Sequence, residues 1–322
     1  MKKLFLLILL LKNLSIIQIS VGNAFSYAPE ALVHSSKPSV LASFKLLCPL
    51  PEVPEKMMIY KAVDPRISQK DITQLMKAFG LEGKIVDRRR QFVVRDGHKV
   101  LEVFKQSGTG YLRFSNDQKL AAEKRAKKLP SEHKAIVKAK EFLRTHGLLS
   151  KNTFFVGTGY HEFREYNSEG ELFARGRSAI AVGFGFKIEE MRVEGPGAKA
   201  SVIFGEGGEI IGASKIWREI QPDKQKKILT PEEAFTRFKQ RWPTELEPQQ
   251  LEQAEIKTEV NIREVYLTYY AKPGCLPQDY LEPIYVFKGD YRISGRIGER
   301  EISDSDYFKI IIPAVTNRIG DS

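Results

Sequence analysis

Between Ala198 and Phe204 apolar and polar positions alternate, with Ala198, Ala200, Val202 and Phe204 on one parity and Lys199, Ser201 and Ile203 on the other. Successive side chains of an extended strand point to opposite faces, so this run predicts a strand with one buried face. Gly205, Gly207 and Gly208 supply the positive-φ positions of a tight reversal, and 209–220 predicts the returning strand. The period then changes. Thr230, Pro231 and Glu233 spell a capping box with proline at the first helical position, and Ala234, Phe235, Phe238 and Trp242 share one helical stripe.

The same order of helix followed by strands is read twice upstream. Ser68 caps QKDITQLMKAFG, whose Ile72, Leu75, Met76 and Phe79 share a face, and strand-like runs follow at 84–95, 100–105 and 110–115. A second helical region spans 117–149, interrupted at Pro130, with Ala135, Ile136, Ala139, Phe142 and Leu143 on its apolar stripe and Gly147 as its stop. Strands are expected at 152–166 and 172–188 and, beyond the third helix, at 257–271 and 281–288, which are rich in Val, Ile, Tyr and Phe. The pattern predicts an α+β protein of repeated helix-plus-antiparallel-sheet units in two compact lobes. The units fall at 57–116, 117–222 and 223–316, after an irregular lead-in at 25–56 with prolines at 29, 38, 50, 52 and 54, and before a short tail at 317–322.

The N-terminus has a different character. Lys2 and Lys3 precede an unbroken apolar run at 4–11, and Gly22 and Ala24 are small residues of the kind a signal peptidase reads, so 1–24 is expected to be an export signal. Lys12, Asn13 and Gln18 interrupt the apolar stretch and argue against a long membrane anchor, although retention as an anchor is the alternative reading. The expected location is outside the cytosol, secreted or on the outer face of the membrane.

The formal charge is +11, and loss of 1–24 would remove three lysines and no acids, leaving +8. Arg88, Arg89 and Arg90 form one basic cluster, and Lys124, Arg125, Lys127 and Lys128 another beside Lys119 and Lys134. Such a surface attracts anionic wall polymers, lipid headgroups or an acidic protein face; a merely solvated helix face is the plain alternative. An exported chain is not expected to meet nucleic acid. The two cysteines, Cys48 and Cys275, would in an oxidising compartment tie the lead-in to the loop KPGCLPQDY, or remain separate thiols.

No catalytic constellation emerges. His161, Glu162 and Glu165 in HEFRE lack the second histidine of a zinc-peptidase helix and lie in a strand-like run that sends alternate side chains to opposite faces. Neither cysteine has a neighbouring histidine, there is no G-x-S-x-G elbow, and the glycines near 205 lack the G-K-[ST] of a phosphate loop. No metal and no cofactor are expected. Tyr269, Tyr270, Tyr280 and Tyr285, with the loop 273–279, are the candidate binding residues, because large aromatics build interfaces and alternation sends Tyr269 and Tyr270 to opposite faces.

The segments KASVIFGEGGEIIGASKIWREI, LTPEEAFTRF and VYLTYYAKPGCLPQDYLEPIYVFKG, within a helix-plus-meander order over 56–289, resemble exported PepSY-type proteins and the related YycI/YycH-like extracellular regulatory domains. The resemblance implies a helix packed on an antiparallel sheet and a non-catalytic role, restraining a peptidase or modulating an envelope sensor. No peptidase domain follows in this chain, so a restrained enzyme would be a separate protein. Two function classes therefore stand: an exported binding or regulatory module, and a secreted hydrolase or cell-wall-modifying enzyme whose groups converge only in the fold, for which His161, Glu162 and Glu165 are the first residues to inspect.

Overall fold

The computed structural model describes residues 41–63, 66–105, 111–121, 126–166, 170, 172–242, 254–274, 276–297 and 300–315. In chain order the first elements are β1 (Leu41–Leu46), β2 (Lys56–Ala62), α1 (Gln69–Phe79), β3 (Ile85–Asp87), β4 (Gln91–Asp96), β5 (Lys99–Phe104) and β6 (Tyr111–Asn116). Then come α2 (Asp117–Leu120), α3 (Glu132–Thr145), β7 (Thr153–Tyr166), β8 (Leu172–Ile188), β9 (Met191–Arg192), β10 (Lys199–Phe204), β11 (Ile210–Ile216) and β12 (Ile220–Lys227). The chain continues through α4 (Pro231–Gln240), β13 (Ala254–Tyr269), β14 (Tyr280–Leu281), β15 (Pro283–Ile297) and β16 (Arg300–Pro313).

Strand dominates, and the expected α+β class of repeated helix-plus-sheet units in two compact lobes is overturned. A nine-stranded sheet runs β3-β4-β5-β6-β11-β10-β8-β7, with β9 paired to β8. The strands expected to form two separate units are thus fused, because β6 pairs with β11 from Gly212↔Ser115 to Ile216↔Tyr111. The physical reason is the sheet edge: a small meander ending at β6 would expose a row of unpaired amides and carbonyls, and β11 satisfies them. The lead-in also departs from expectation, since its residues 41–46 form β1, which runs parallel to β13.

One face of the large sheet is apolar along rows that cross several strands, as in Val94, Leu101, Phe114, Ala213, Val202 and Val182. The helices α1 and α3 cover it. Ser68 caps α1 in a reciprocal box with Asp71, and Gly80 ends the helix in the left-handed conformation. Phe79 of α1 stacks on Phe114 at 4.2 Å and lies 5.3 Å from Phe142 of α3. Ala135, Ala139 and Leu143 of α3 are completely buried, two of them small enough to let the helix approach β8 and β10. The opposite face is lined by small and polar groups, including Gly183, Ser201 and Ser214, whose hydroxyls share a 2.9 Å hydrogen bond.

A second sheet has the order β1-β13-β15-β16 and is covered by α4. The capping box of Thr230 and Glu233 and the N-terminal Pro231 are present as the sequence predicts. Phe238 stacks on Phe287 at 4.7 Å, and Trp242 meets Phe44, Tyr291 and Phe308 edge-on. A third sheet, β12-β2-β14, joins the chain between the other two. The two larger sheets meet along 192–197: Glu194 N donates to Tyr269 O at 2.8 Å, Ala271 N to Glu194 O at 2.9 Å, and Gly197 N to Ala271 O at 3.0 Å.

Candidate functional site

Where the two larger sheets meet, the loop between β13 and β14 is held by side chains from elsewhere in the sequence. Trp217 stacks on the buried Phe186 at 4.5 Å and so fixes the next residue, Arg218, against the large sheet. The Arg218 side chain is 1% exposed and faces the loop. Its Nη1 donates to Lys272 O at 2.8 Å, and its Nη2 to Pro273 O at 3.0 Å and Leu276 O at 2.8 Å. A guanidinium offers a planar fork of donors, and hydrogen bonds to a charged group are the strong ones, so one side chain ties three loop carbonyls to a distant element.

Gln278 completes the frame from within the loop. Its Oε1 accepts from Lys272 N at 2.8 Å, while its Nε2 donates to Tyr270 O at 2.9 Å and Tyr280 O at 3.0 Å. Asp279 O accepts from Ala62 N at 2.7 Å, binding the loop's end to β2. Gly195 and Gly197 allow the other strand of the seam to come close, since a Cβ at Gly197 would sit on the Lys272 carbonyl and a Cβ at Gly195 on the Ala271 carbonyl. On this frame Leu276 is 45% exposed and Pro277 is exposed beside it.

Next to the loop is a half-buried group of charges from both sheets. Glu194 makes an ion pair with Lys309 and accepts from Tyr266 Oη at 2.6 Å. Burial pushes its carboxyl up, but the hydrogen bonds from Lys309 and Tyr266 and the charges of Lys309 and Lys288 together bring it below the usual carboxylate range. Lys288 pairs with Glu264 at 3.0 Å and lies 4.7 Å from the centre of the Tyr266 ring. Burial and the charge of Lys309 push Lys199 down to about 8, against the pull of Glu194.

The sign of that shift gives a test. Below pH 8 the folded protein holds a lysine charge that costs it stability; between about 8 and the ordinary 10.5 the unfolded chain binds the proton and the folded one does not, so stability rises with pH. Lys199→Met is expected to stabilise the protein at pH 7 by ~1–2 kcal/mol, allowing for partial exposure, and the gain should shrink from pH 8 to 10.5. Urea unfolding of both proteins at pH 7 and pH 10 measures it, and destabilisation by the substitution at pH 7 would refute this assignment.

The candidate tyrosines divide. Tyr269 and Tyr285 are core residues, 1% and 0% exposed, whose phenols donate to Met58 O at 2.8 Å and Leu229 O at 2.7 Å. Burial pushes both hydroxyls up, Tyr285 to about 12. They brace the sheets and present no interface. Tyr270 and Tyr280 are half-buried at the two ends of the loop, with Tyr270 covering Gly195, as alternation requires of the neighbour of a buried Tyr269.

The described members of the two basic clusters lie at separate places. Arg88, Arg89 and Arg90 are exposed in the turn between β3 and β4, whereas Lys127 and Lys128 lie by the turn 205–209, where Gly207 N donates to Lys128 O at 2.8 Å. These turns are at opposite ends of their strands: Gln91 pairs with Phe104, and Lys99 at the other end of β5 pairs with Asn116. Lys124 and Arg125 lie outside the described residues. Cys275 does too, so the pairing with Cys48 is not placed; Cys48 is half-buried and its thiol is pushed up by burial.

His161 and Glu162 sit on β7 and face opposite sides of the sheet. Glu162 is exposed and pairs with Arg177 at 3.4 Å, while burial pushes the His161 imidazole down. Among the described residues no group of three or more His, Cys, Asp or Glu side chains could hold a metal ion. No described helix is long and apolar enough to cross a membrane; the expected export signal lies outside the described residues.

No protein-family model matches the chain, and no curated protein matches it. The PepSY-type resemblance therefore has no support from these comparisons. A solved structure of an uncharacterized protein from Eubacterium rectale ATCC 33656 is similar to this chain at 10% identity, over 82% of this chain and 87% of that one, with a TM-score of 0.46.

Sequence reasoning missed Arg218. Its signal is an arginine inside the apolar run IIGASKIWREI, together with two Gly/Pro-containing turns, GPG and KPG, that bring backbone carbonyls and amides into a crowded seam.

Proposed function

We propose that the protein is an exported, non-catalytic binding or regulatory module whose recognition element is the loop 271–280, and that its partner is an envelope or secreted protein such as a peptidase or a sensor. One observation supports this reading above the others: among the described residues, Arg218 and Gln278 together make six hydrogen bonds to the backbone of the loop and its ends. A loop ordered before it meets a partner loses little further conformational entropy on binding, which is the advantage of a preorganised recognition segment. Exposed Leu276 and Pro277 give it an apolar tip. The charges of Glu194, Lys199, Lys288 and Lys309 lie at its base and favour a polar rim around that contact.

A photo-crosslinking amino acid in place of Leu276, in cells producing the full chain, tests the proposal. The expected result is one discrete adduct with an envelope or secreted protein, and no such adduct from Val137, which is 49% exposed on α3. Leu276→Asp is expected to weaken binding of the adduct partner tenfold or more, about 1.4 kcal/mol, without loss of fold. Equal crosslinking from both positions, or none from Leu276, would overturn the proposal.

A further inference from the structure

The nine-stranded sheet ends at β7, and β7 does not end where the sheet does. β10 pairs with β8 only over Ile180–Gly185, whereas β7 and β8 continue as a pair to Tyr166↔Leu172. Among the described residues, 162–166 and 172–177 therefore form a two-stranded arm that no third strand flanks, touched on the β8 side by Ala126 N, which donates to Arg177 O at 3.0 Å. An isolated two-stranded ribbon is only marginally stable in water. This one also exposes Tyr166 and Leu172, 58% and 49%.

The outer edge of the arm is regular. Of the three register shifts in the β7/β8 pair, the one between Phe155 and Gly157 leaves Val156 unmatched on β7, but the other two leave Ser178 and Phe173 unmatched on β8. Residues 157–166 of β7 thus carry no inserted residue. Two of the other edges are blocked: on β16 the Ser305 and Tyr307 amides donate to Asp304 Oδ1 at 2.9 Å and Asp306 Oδ1 at 2.7 Å, and β12 carries Pro222, Lys224, Lys226 and Lys227.

The sequence of the arm is self-complementary about Phe163. In YHEFREY, a second copy running antiparallel with its two-fold axis at Phe163 places Glu162 opposite Arg164, His161 opposite Glu165 and Tyr160 opposite Tyr166, each twice. Within one chain Arg164 lies directly opposite Arg175, both exposed, and among the described residues no carboxylate pairs with either. Directly opposed like charges destabilise a strand pair. A Glu162 from a second copy supplies what that pair lacks.

We infer that β7 is a homodimerisation edge: two copies pair their 160–166 segments antiparallel about Phe163, turning two arms into a four-stranded ribbon and two sheets into one continuous sheet. The occupant is a second copy because the charge order matches itself. The two bodies lie at opposite ends of the paired segment, since each joins its arm at the β7 N-terminal side.

Sedimentation of the purified full chain across the micromolar range tests the inference, with circular dichroism as the check on folding. The wild type is expected to be dimeric. Glu162→Arg and Arg164→Glu should each weaken association about tenfold or more by opposing like charges, and the double variant should restore it. With Cys48 and Cys275 replaced by serine, Phe163→Cys should form a disulfide-linked dimer under mild oxidation, since opposed Cβ atoms lie about 4.5–5.5 Å apart, while Thr153→Cys should not. A monomeric wild type, or a dimer unaffected by both single charge reversals, would overturn the inference. So would an edge filled by an extended peptide of another protein in place of the second copy.

Discussion

Arg218→Met is expected to destabilise the protein by at least about 3 kcal/mol, because it removes three charge-assisted hydrogen bonds at once and leaves the Lys272, Pro273 and Leu276 carbonyls to find other partners. The methionine keeps much of the volume, so the loss reports the hydrogen bonds more than packing. Arg218→Lys should recover only part of it, since an ammonium cannot span three carbonyls as a planar fork does. Chemical denaturation measures the loss, and hydrogen exchange should show it concentrated at 270–280 before global unfolding. A variant within about 0.5 kcal/mol of wild type would show that the loop stands without this brace.

Gly197→Ala should cost ~2–3 kcal/mol and act on the same loop. A Cβ there would meet the Lys272 carbonyl, which is backbone and cannot swing aside, and would crowd Nη1 of Arg218. The seam must open, and the hydrogen bond from Gly197 N to Ala271 O opens with it. Since the two substitutions damage one network, the double variant should lose less than the sum of the single losses. Gly157→Ala is the control: that glycine has open space where a Cβ would go and should be nearly neutral. Unfolding of the four proteins checks both statements, and strict additivity would separate Gly197 from the Arg218 brace.

Local structure was legible in this sequence wherever its cause was local. The Thr230 to Glu233 box, the Ser68 cap, the alternation at 198–204 and the glycine turn at 205–208 all depend on residues within a few positions of one another, and each is present. Period-two alternation also named the buried parity of β10 correctly, with Ala200, Val202 and Phe204 all 1% exposed or less. It does not name a strand's neighbours. The pairing of β6 with β11 and the parallel pairing of β1 with β13 join residues about a hundred and more than two hundred positions apart, and they turned the expected separate units into broad sheets.

The candidate site was legible in part. The loop was marked by its glycine, prolines and flanking tyrosines, and alternation separated Tyr269 from Tyr270. What holds the loop was not legible, because the donors on Arg218 reach residues 54 to 58 positions away; an arginine in an apolar run signals a buried charge but does not say which carbonyls receive it. The two basic clusters were legible as runs in the sequence, but their separation was not: it is the strand topology that puts Arg88 to Arg90 and Lys127 to Lys128 at opposite ends.

Amide hydrogen exchange on the isolated protein at Ala271, Lys272 and Leu276 tests most directly whether the loop is ordered before any partner arrives. Each of these amides has an internal acceptor, namely Glu194 O, Gln278 Oε1 and Pro273 O. Protection approaching that of β13 is the predicted result. Exchange at the rate of an unstructured chain would contradict a preorganised recognition loop.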